Sequence, residues 1–231
     1  MKQNSPGNRS SGKLFFFLYA LVLLCDLVFI YLNKDAWRWC TKPLLMPVLI
    51  MVLYKFGGSA VFRPHVFAAL FFSWCGDLLL QAEGYFIPGL VSFLVAHIFY
   101  IIYFLRCIPG FKLRFRFVVP VFVYIAVFLF ILFPYLGEMK WPVTFYSITI
   151  GIMLLLALHT HGRIPLNISR KFIMGALLFV ISDSVLAVNL FAVNLTALSL
   201  VVMATYGAAQ FLLVRGAMLN TRDDRIRSQT H

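Results

Sequence analysis

Charge is scarce in this chain. Only 12% of its 231 residues are Asp, Glu, Lys or Arg, and only 8 are acidic. A soluble domain carries roughly 25% charged residues, so this chain lacks the means to cover itself with an aqueous surface. Cysteine is scarce as well. The 4 cysteines show no CxxC or other metal-ligand spacing, and only Cys40 is expected in an outer loop, which argues against an extracellular disulfide. There is no GxSxG elbow, HExxH pair, P-loop or glycine-rich dinucleotide fingerprint, and no serine with a histidine close by to make it a nucleophile. Polar stretches long enough to hold a soluble domain are absent between the apolar ones. What the chain has in quantity is apolar residues, 62% of the total.

Those residues fall into eight runs: 14–32, 43–56, 65–80, 86–105, 117–133, 141–158, 172–191 and 195–214. A helix spans a bilayer with about 20 apolar residues. The expected fold is therefore all-α, a polytopic bundle of eight transmembrane helices filling residues 13–216. A polar N-terminal segment, 1–12, is expected to be disordered, and 217–231 to form a charged tail. Net charge is +12, but its distribution speaks for membrane topology and not for nucleic acid. With the N-terminus inside, sixteen Lys and Arg fall on cytoplasmic segments and four, Lys34, Arg38, Lys42 and Lys140, on the other side. That asymmetry puts both termini in the cytoplasm, with anionic lipid headgroups as the partners of the basic loops. The short loops make a bacterial inner membrane the expected location.

Two runs contain an aspartate, in Gly76-Asp77-Leu78-Leu79 and Ser182-Asp183-Ser184-Val185. A charge near the bilayer centre costs about 2.5–3.5 kcal/mol on insertion scales, so such a residue normally faces the protein interior and pairs or acts there. The two helices are four spans apart and run the same way, as a parallel repeat would produce. At 1.5 Å per residue, Asp77 lies ~18 Å and Asp183 ~20 Å from the inner edge, while His97 and Tyr206 lie ~16 Å from the outer edge. All four groups could meet at one level.

Ser73 shares a face with Asp77 at i−4, His97 and Tyr100 share a face at i, i+3, and Ser199, Met203, Tyr206 and Gln210 form a stripe on the last helix. Ser182 and Asn189 stand beside Asp183. Any one of these can be interhelical glue, and a lone histidine on an apolar face is usually a satisfied core group. Asp26 has only Asn33 at helical spacing and ranks below the other acids, and His159 and His161 are expected at the interface. Asp, His and Asp could ligate zinc, but no further His or Cys ligand lies at that depth, so neither metal nor cofactor is expected. The chemistry left is that of carboxyls. Two in one low-dielectric cavity tend to divide, one protonated and one ionised. Intramembrane carboxylates with a histidine also build proton relays, so a proton-coupled transporter of small molecules or lipids is the competing expectation.

At these residues the chain resembles the YhhN-like membrane proteins, a family that includes the lysoplasmalogenases. The resemblance rests on Gly76-Asp77, Gly84-Tyr85-Phe86, Gly89 and His97-Ile98-Phe99-Tyr100, then Ile181-Ser182-Asp183, Ala187 and Asn189, then Met203-Ala204-Thr205-Tyr206 with Ala209-Gln210. It implies eight membrane helices. It also implies hydrolysis of the vinyl-ether bond of a lysophospholipid substrate, a lysoplasmalogen, to a fatty aldehyde and a glycerophospho-base. On that expectation Asp77 and Asp183 are the catalytic acid/base pair, in either order. His97, Tyr100, Asn189, Tyr206, Gln210, Ser182 and Ser73 bind or position the substrate. The chemistry needs no cofactor: protonating the β-carbon of a vinyl ether gives an oxocarbenium ion that water captures.

Overall fold

The computed structural model describes residues 6–56, 63–108 and 110–229. They form eight α-helices: α1 (Pro6–Tyr31), α2 (Asp35–Phe56), α3 (Arg63–Gln81), α4 (Phe86–Cys107), α5 (Phe115–Leu132), α6 (Lys140–His159), α7 (Leu166–Val188) and α8 (Thr196–Gln229). Short 3₁₀ turns link α5 to α6, and α7 ends in a π-helical turn, Asn189–Val193. Seven of the eight are long and apolar enough to cross a membrane. The exception is α3, whose 19 residues include Arg63, His65, Asp77 and Gln81. The polar segment 1–12 lies outside the described residues over positions 1–5, and the tail does so at 230–231.

Three helices start earlier than the apolar runs imply. α1 opens at Pro6, so positions 6–12 of the segment expected to be disordered are helical. α2 opens at Asp35, eight residues before Pro43, so Arg38, Cys40 and Lys42 are helical and Cys40 is not in a loop. α7 opens at Leu166, behind Pro165, and Ser169 in its first turn hydrogen-bonds the Thr160 hydroxyl at 2.9 Å. A proline fixes its own φ and lacks an N–H, so it suits a helix start, where that donor has no partner anyway.

Close helix approach comes from glycine in this bundle, as in many membrane proteins. The densest pairs are α7 with α8 and α3 with α4. A Cβ on Gly76 would stand 2.5 Å from the Phe93 ring, and one on Gly216 would stand 2.4 Å from the Phe172 ring, so each glycine seats an aromatic side chain from the neighbouring helix. Gly84 turns α3 into α4 with φ +80, a backbone region that a Cβ disfavours. Prolines inside α2 have a local consequence. Pro47 has no N–H, so the Pro43 carbonyl loses its i+4 donor. The Trp74 indole of α3 donates to that carbonyl at 2.9 Å and ties α2 to α3.

Consecutive helices alternate in direction, so the end of the bundle bearing the α1–α2, α3–α4, α5–α6 and α7–α8 connections lies opposite both termini. The half near the termini is sealed by buried rings, with Phe172 edge-on to Tyr103 and Phe104 at 5.6 and 5.2 Å between centroids. His159 belongs to this half. It is fully buried, its Nδ1 donates to the Leu155 carbonyl at 2.7 Å, and its Nε2 accepts the Arg114 N–H at 2.9 Å. Nε2 thus holds the start of α5, while Nδ1 ties the ring to its own helix, so both nitrogens have a structural duty.

Candidate active site

The half away from the termini is hollow. A cavity of about 200 Å³ lies between α2, α3, α4, α6, α7 and α8, and both Asp77 and Asp183 line it. Asp77 is four residues from the end of α3, and Asp183 is five residues from the end of α7. This similar placement near the ends of α3 and α7 puts both side chains on one cavity.

Their surroundings differ. Asp77 is almost wholly buried, and its Oδ1 lies 3.5 Å from Lys42 Nζ of α2. Its Oδ2 accepts the Tyr206 hydroxyl of α8 at 2.7 Å. The Phe93 and Phe179 rings stand edge-on to the Tyr206 ring at 5.8 and 5.5 Å and hold that hydroxyl in place.

Asp183 is 13% exposed in its side chain and, among the described residues, has no lysine or arginine paired with it. Its Oδ2 accepts a hydrogen bond from the Tyr146 hydroxyl of α6. His97 Nε2 of α4 lies 3.8 Å from the same oxygen, beyond hydrogen-bond reach. The imidazole is fully buried and wedged edge-on between the Tyr146 and Phe179 rings, at 5.3 and 4.7 Å.

The other expected residues divide by depth. Ser182, Ser199, Met203 and Tyr206 reach the cavity wall, as Asp77 and Asp183 do. Ser182 Oγ also donates to the Val202 carbonyl at 3.0 Å and joins α7 to α8. Tyr100, Gln210 and Ser73 form a connected chain farther in. The Tyr100 hydroxyl donates to Gln210 Oε1 at 2.7 Å, and Gln210 Nε2 donates to Ser73 Oγ at 3.0 Å. All three side chains are buried and do not line the cavity. Asn189 holds the α7–α8 turn: its Oδ1 accepts the Leu195 N–H at 2.6 Å, and its Nδ2 donates to Ser199 Oγ at 3.0 Å.

Three cavity residues escape sequence reasoning. Lys42 and Arg38 look like loop charges flanking an apolar run, yet both line the cavity from α2. Tyr146 looks like one more aromatic in α6, beside the weakly polar Thr144 and Ser147. The signal that was available lies in α1. Asp26, fully buried, accepts the Thr41 hydroxyl at 2.7 Å and lies 3.7 Å from Arg38 Nε. An unexplained acid in one span asks for a basic partner in the next.

A second, apolar hollow lies between α5, α6 and α7, lined by Ile125, Phe128, Val143, Ser147, Gly151 and Leu154 among others. Tyr146, Asp183, Phe86, Leu90, Leu186 and Leu190 line both hollows, so Asp183 and Tyr146 stand where a polar chamber meets an apolar groove.

The YhhN family profile matches residues 37–217. The mouse protein named lysoplasmalogenase TMEM86B is 30% identical over 211 residues, 88% of this chain and 87% of its own length. Its human counterpart is 30% identical over 207 residues, 87% of this chain and 86% of its own. Human lysoplasmalogenase TMEM86A is 32% identical over 160 residues, 67% of this chain and 65% of its own. No solved structure matches the chain significantly. With the family profile covering most of the bundle and every helix that lines the cavity, this multi-pass integral membrane protein belongs to the YhhN family.

Proposed function

We propose that this chain hydrolyses the vinyl-ether bond of lysoplasmalogens, with Asp183 as general acid and Asp77 as general base. The observation that carries the reading is the unequal pairing of two carboxyls on one cavity. Asp77 has an ammonium group at 3.5 Å and a phenol at 2.7 Å, partners that suit a carboxylate. Asp183 has a phenol and a more distant imidazole and, among the described residues, no ammonium or guanidinium beside it, surroundings that suit a proton donor. The activity printed in the names of the mammalian relatives supports the substrate.

The steps balance in protons. Asp183 gives its proton to the β-carbon of the vinyl ether, and the ether oxygen stabilises the resulting oxocarbenium ion. Asp77 takes a proton from water as the water oxygen bonds to the α-carbon, giving a hemiacetal. Asp77 then protonates the glycerol oxygen, the C–O bond breaks, and the hemiacetal hydroxyl returns its proton to Asp183. One water is consumed, both carboxyls regain their starting states, and a fatty aldehyde and a glycerophospho-base leave. The cation that forms between the two acids is stabilised by the Asp77 carboxylate in a low-dielectric chamber.

Substrate orientation follows from the two hollows. The alkenyl chain takes the groove between α5, α6 and α7, and the glycerol takes the polar chamber, so the vinyl ether crosses beside Asp183. His97 and Tyr146 orient the acid, and Tyr206 orients the base. The Tyr100–Gln210–Ser73 chain stiffens the floor, and Asn189 fixes the wall through Ser199. In the same proposal residues 13–216 are the membrane domain, with segment 1–12 and tail 217–231 outside it. The sixteen-to-four distribution of Lys and Arg supports cytoplasmic termini, and the short connections support a bacterial cytoplasmic membrane.

The test is aldehyde release by purified, detergent-solubilised protein from a 1-alkenyl lysophospholipid and from the matching 1-acyl lysophospholipid. Aldehyde from the first and no hydrolysis of the second is the expected result. Absence of aldehyde from a folded preparation would refute the reaction.

A further inference from the structure

We infer that Arg38 forms a subsite for the phosphodiester of a single-chain glycerolipid at the mouth of the cavity. This rests on the lysolipid reading of the same site and adds where the headgroup is held. Arg38 lines the cavity from α2, and its side chain is 20% exposed. It is one helical turn nearer the end of the bundle than Lys42, a rise of ~6 Å for four residues. Lys42 is committed to Asp77. Arg38 is held in place without being used up. Asp26 lies 3.7 Å from its Nε, too far for a hydrogen bond, and that nitrogen has no other hydrogen-bond partner among the described residues; the facing Asp26 oxygen accepts the Thr41 hydroxyl at 2.7 Å. The other acid near it, Asp35, is 85% exposed and 3.5 Å from Nη1, a contact that water and salt weaken.

A guanidinium offers a planar fork of donors that fits two phosphate oxygens at once, and a buried carboxylate behind it fixes its direction. The spacing is that of the substrate. In a 1-alkenyl lysolipid the phosphodiester and the vinyl ether sit at the two ends of one glycerol. Along α2, the four residues from Arg38 to Lys42 make a rise of ~6 Å, comparable to the span of one glycerol. A phosphodiester on Arg38 therefore sets the ether bond at the level of the carboxyls, and its charge selects phospholipids over neutral alkenyl glycerols.

Two non-cleavable ligands test the subsite without catalysis. One is a 1-O-alkyl lysophosphoethanolamine, and the other is the matching 1-O-alkylglycerol, which lacks the phosphodiester. Affinities are measured on the purified full-length protein in neutral detergent. The wild type is expected to prefer the phosphorylated ligand, and Arg38→Gln to reduce that preference by about tenfold or more, as expected for loss of charge-assisted hydrogen bonds. Arg38→Lys, which keeps the charge and loses the fork, should fall between them. If Arg38→Gln unfolds because Asp26 is left unpaired, the double variant Asp26→Asn/Arg38→Gln removes both charges and should show the same loss of preference. An unchanged preference ratio in a folded variant, or no preference in the wild type, would overturn the subsite. Aldehyde release is scored separately: a wild type that prefers the phosphorylated ligand and releases no aldehyde would sink the reaction and leave the subsite standing.

Discussion

Lys42 Nζ lies 3.5 Å from Asp77 Oδ1, and the Tyr206 hydroxyl donates to the second oxygen of the same carboxyl at 2.7 Å. One carboxyl is thus fixed by α2 and α8 together while belonging to α3. Removing one partner of a buried ion pair costs about 3–5 kcal/mol, because the other charge is left stranded. Lys42→Gln and Asp77→Asn should each lower the unfolding temperature in detergent. The double variant should lose less than the sum, with a coupling of about 1 kcal/mol or more. Strict additivity would mean that the pair does not form.

Asp183→Asn and Asp77→Asn should each cut aldehyde release by at least about 10²- to 10⁴-fold, the usual contribution of a positioned acid or base. Each side chain keeps its size, and Asp183 in particular keeps a hydrogen-bond acceptor for Tyr146. Size-exclusion profiles should therefore stay those of the wild type. Full activity in either variant would remove that residue from the chemistry.

Tyr206→Phe and Tyr146→Phe delete one hydroxyl each and leave the rings that pack on Phe93 and His97. A hydrogen bond to a charged group contributes about 1.5–3 kcal/mol, and each 1.36 kcal/mol is tenfold in rate. Turnover should fall about 10- to 100-fold in Tyr206→Phe, whose partner is the carboxylate, and less in Tyr146→Phe. Steady-state kinetics on one alkenyl lysolipid would give that order or its reverse.

Ser147 is buried on the wall of the apolar groove and contacts neither carboxyl. Ser147→Phe should fill the groove and raise KM for long alkenyl chains more than for short ones. A chain-length series shows whether the groove holds the chain: equal effects at every length would place it elsewhere.

Gly76→Ala should act through packing alone. The added methyl would meet the Phe93 ring at 2.5 Å, and overpacking of this kind costs about 1–3 kcal/mol. Phe93 lines the cavity, so a loss of thermal stability should be accompanied by a loss of activity. Phe93→Leu in the same chain makes room and should recover part of the stability.

Some of this was written along the chain. Apolar runs of membrane length dictate helices, because no other local structure pairs its own backbone groups in lipid. The cost of a charge in lipid makes Asp77 and Asp183 conspicuous in any reading. The i, i+3 and i, i+4 spacings placed Tyr206 on the stripe that reaches the cavity and put Ser73 one turn from Asp77. The rise per residue set both aspartates at similar distances along their helices, and both line one cavity.

Other features were decided only when the helices packed. The start of α2 was invisible because hydropathy marks where a helix enters lipid and not where its hydrogen bonds begin. Arg38 and Lys42 therefore read as loop charges until α2 turned them inward. Tyr146 became a partner of Asp183 because α6 lies beside α7, a neighbour relation that no local spacing encodes. The same packing separated residues that looked alike in sequence: Tyr206 hydrogen-bonds Asp77 at the cavity wall, while Tyr100 hydrogen-bonds Gln210 away from it. The sequence by itself determined which groups are too costly to leave in lipid. Only the tertiary structure decided which partners meet that cost, because pairing energies fall within a few ångströms and those distances are set between helices far apart in the chain.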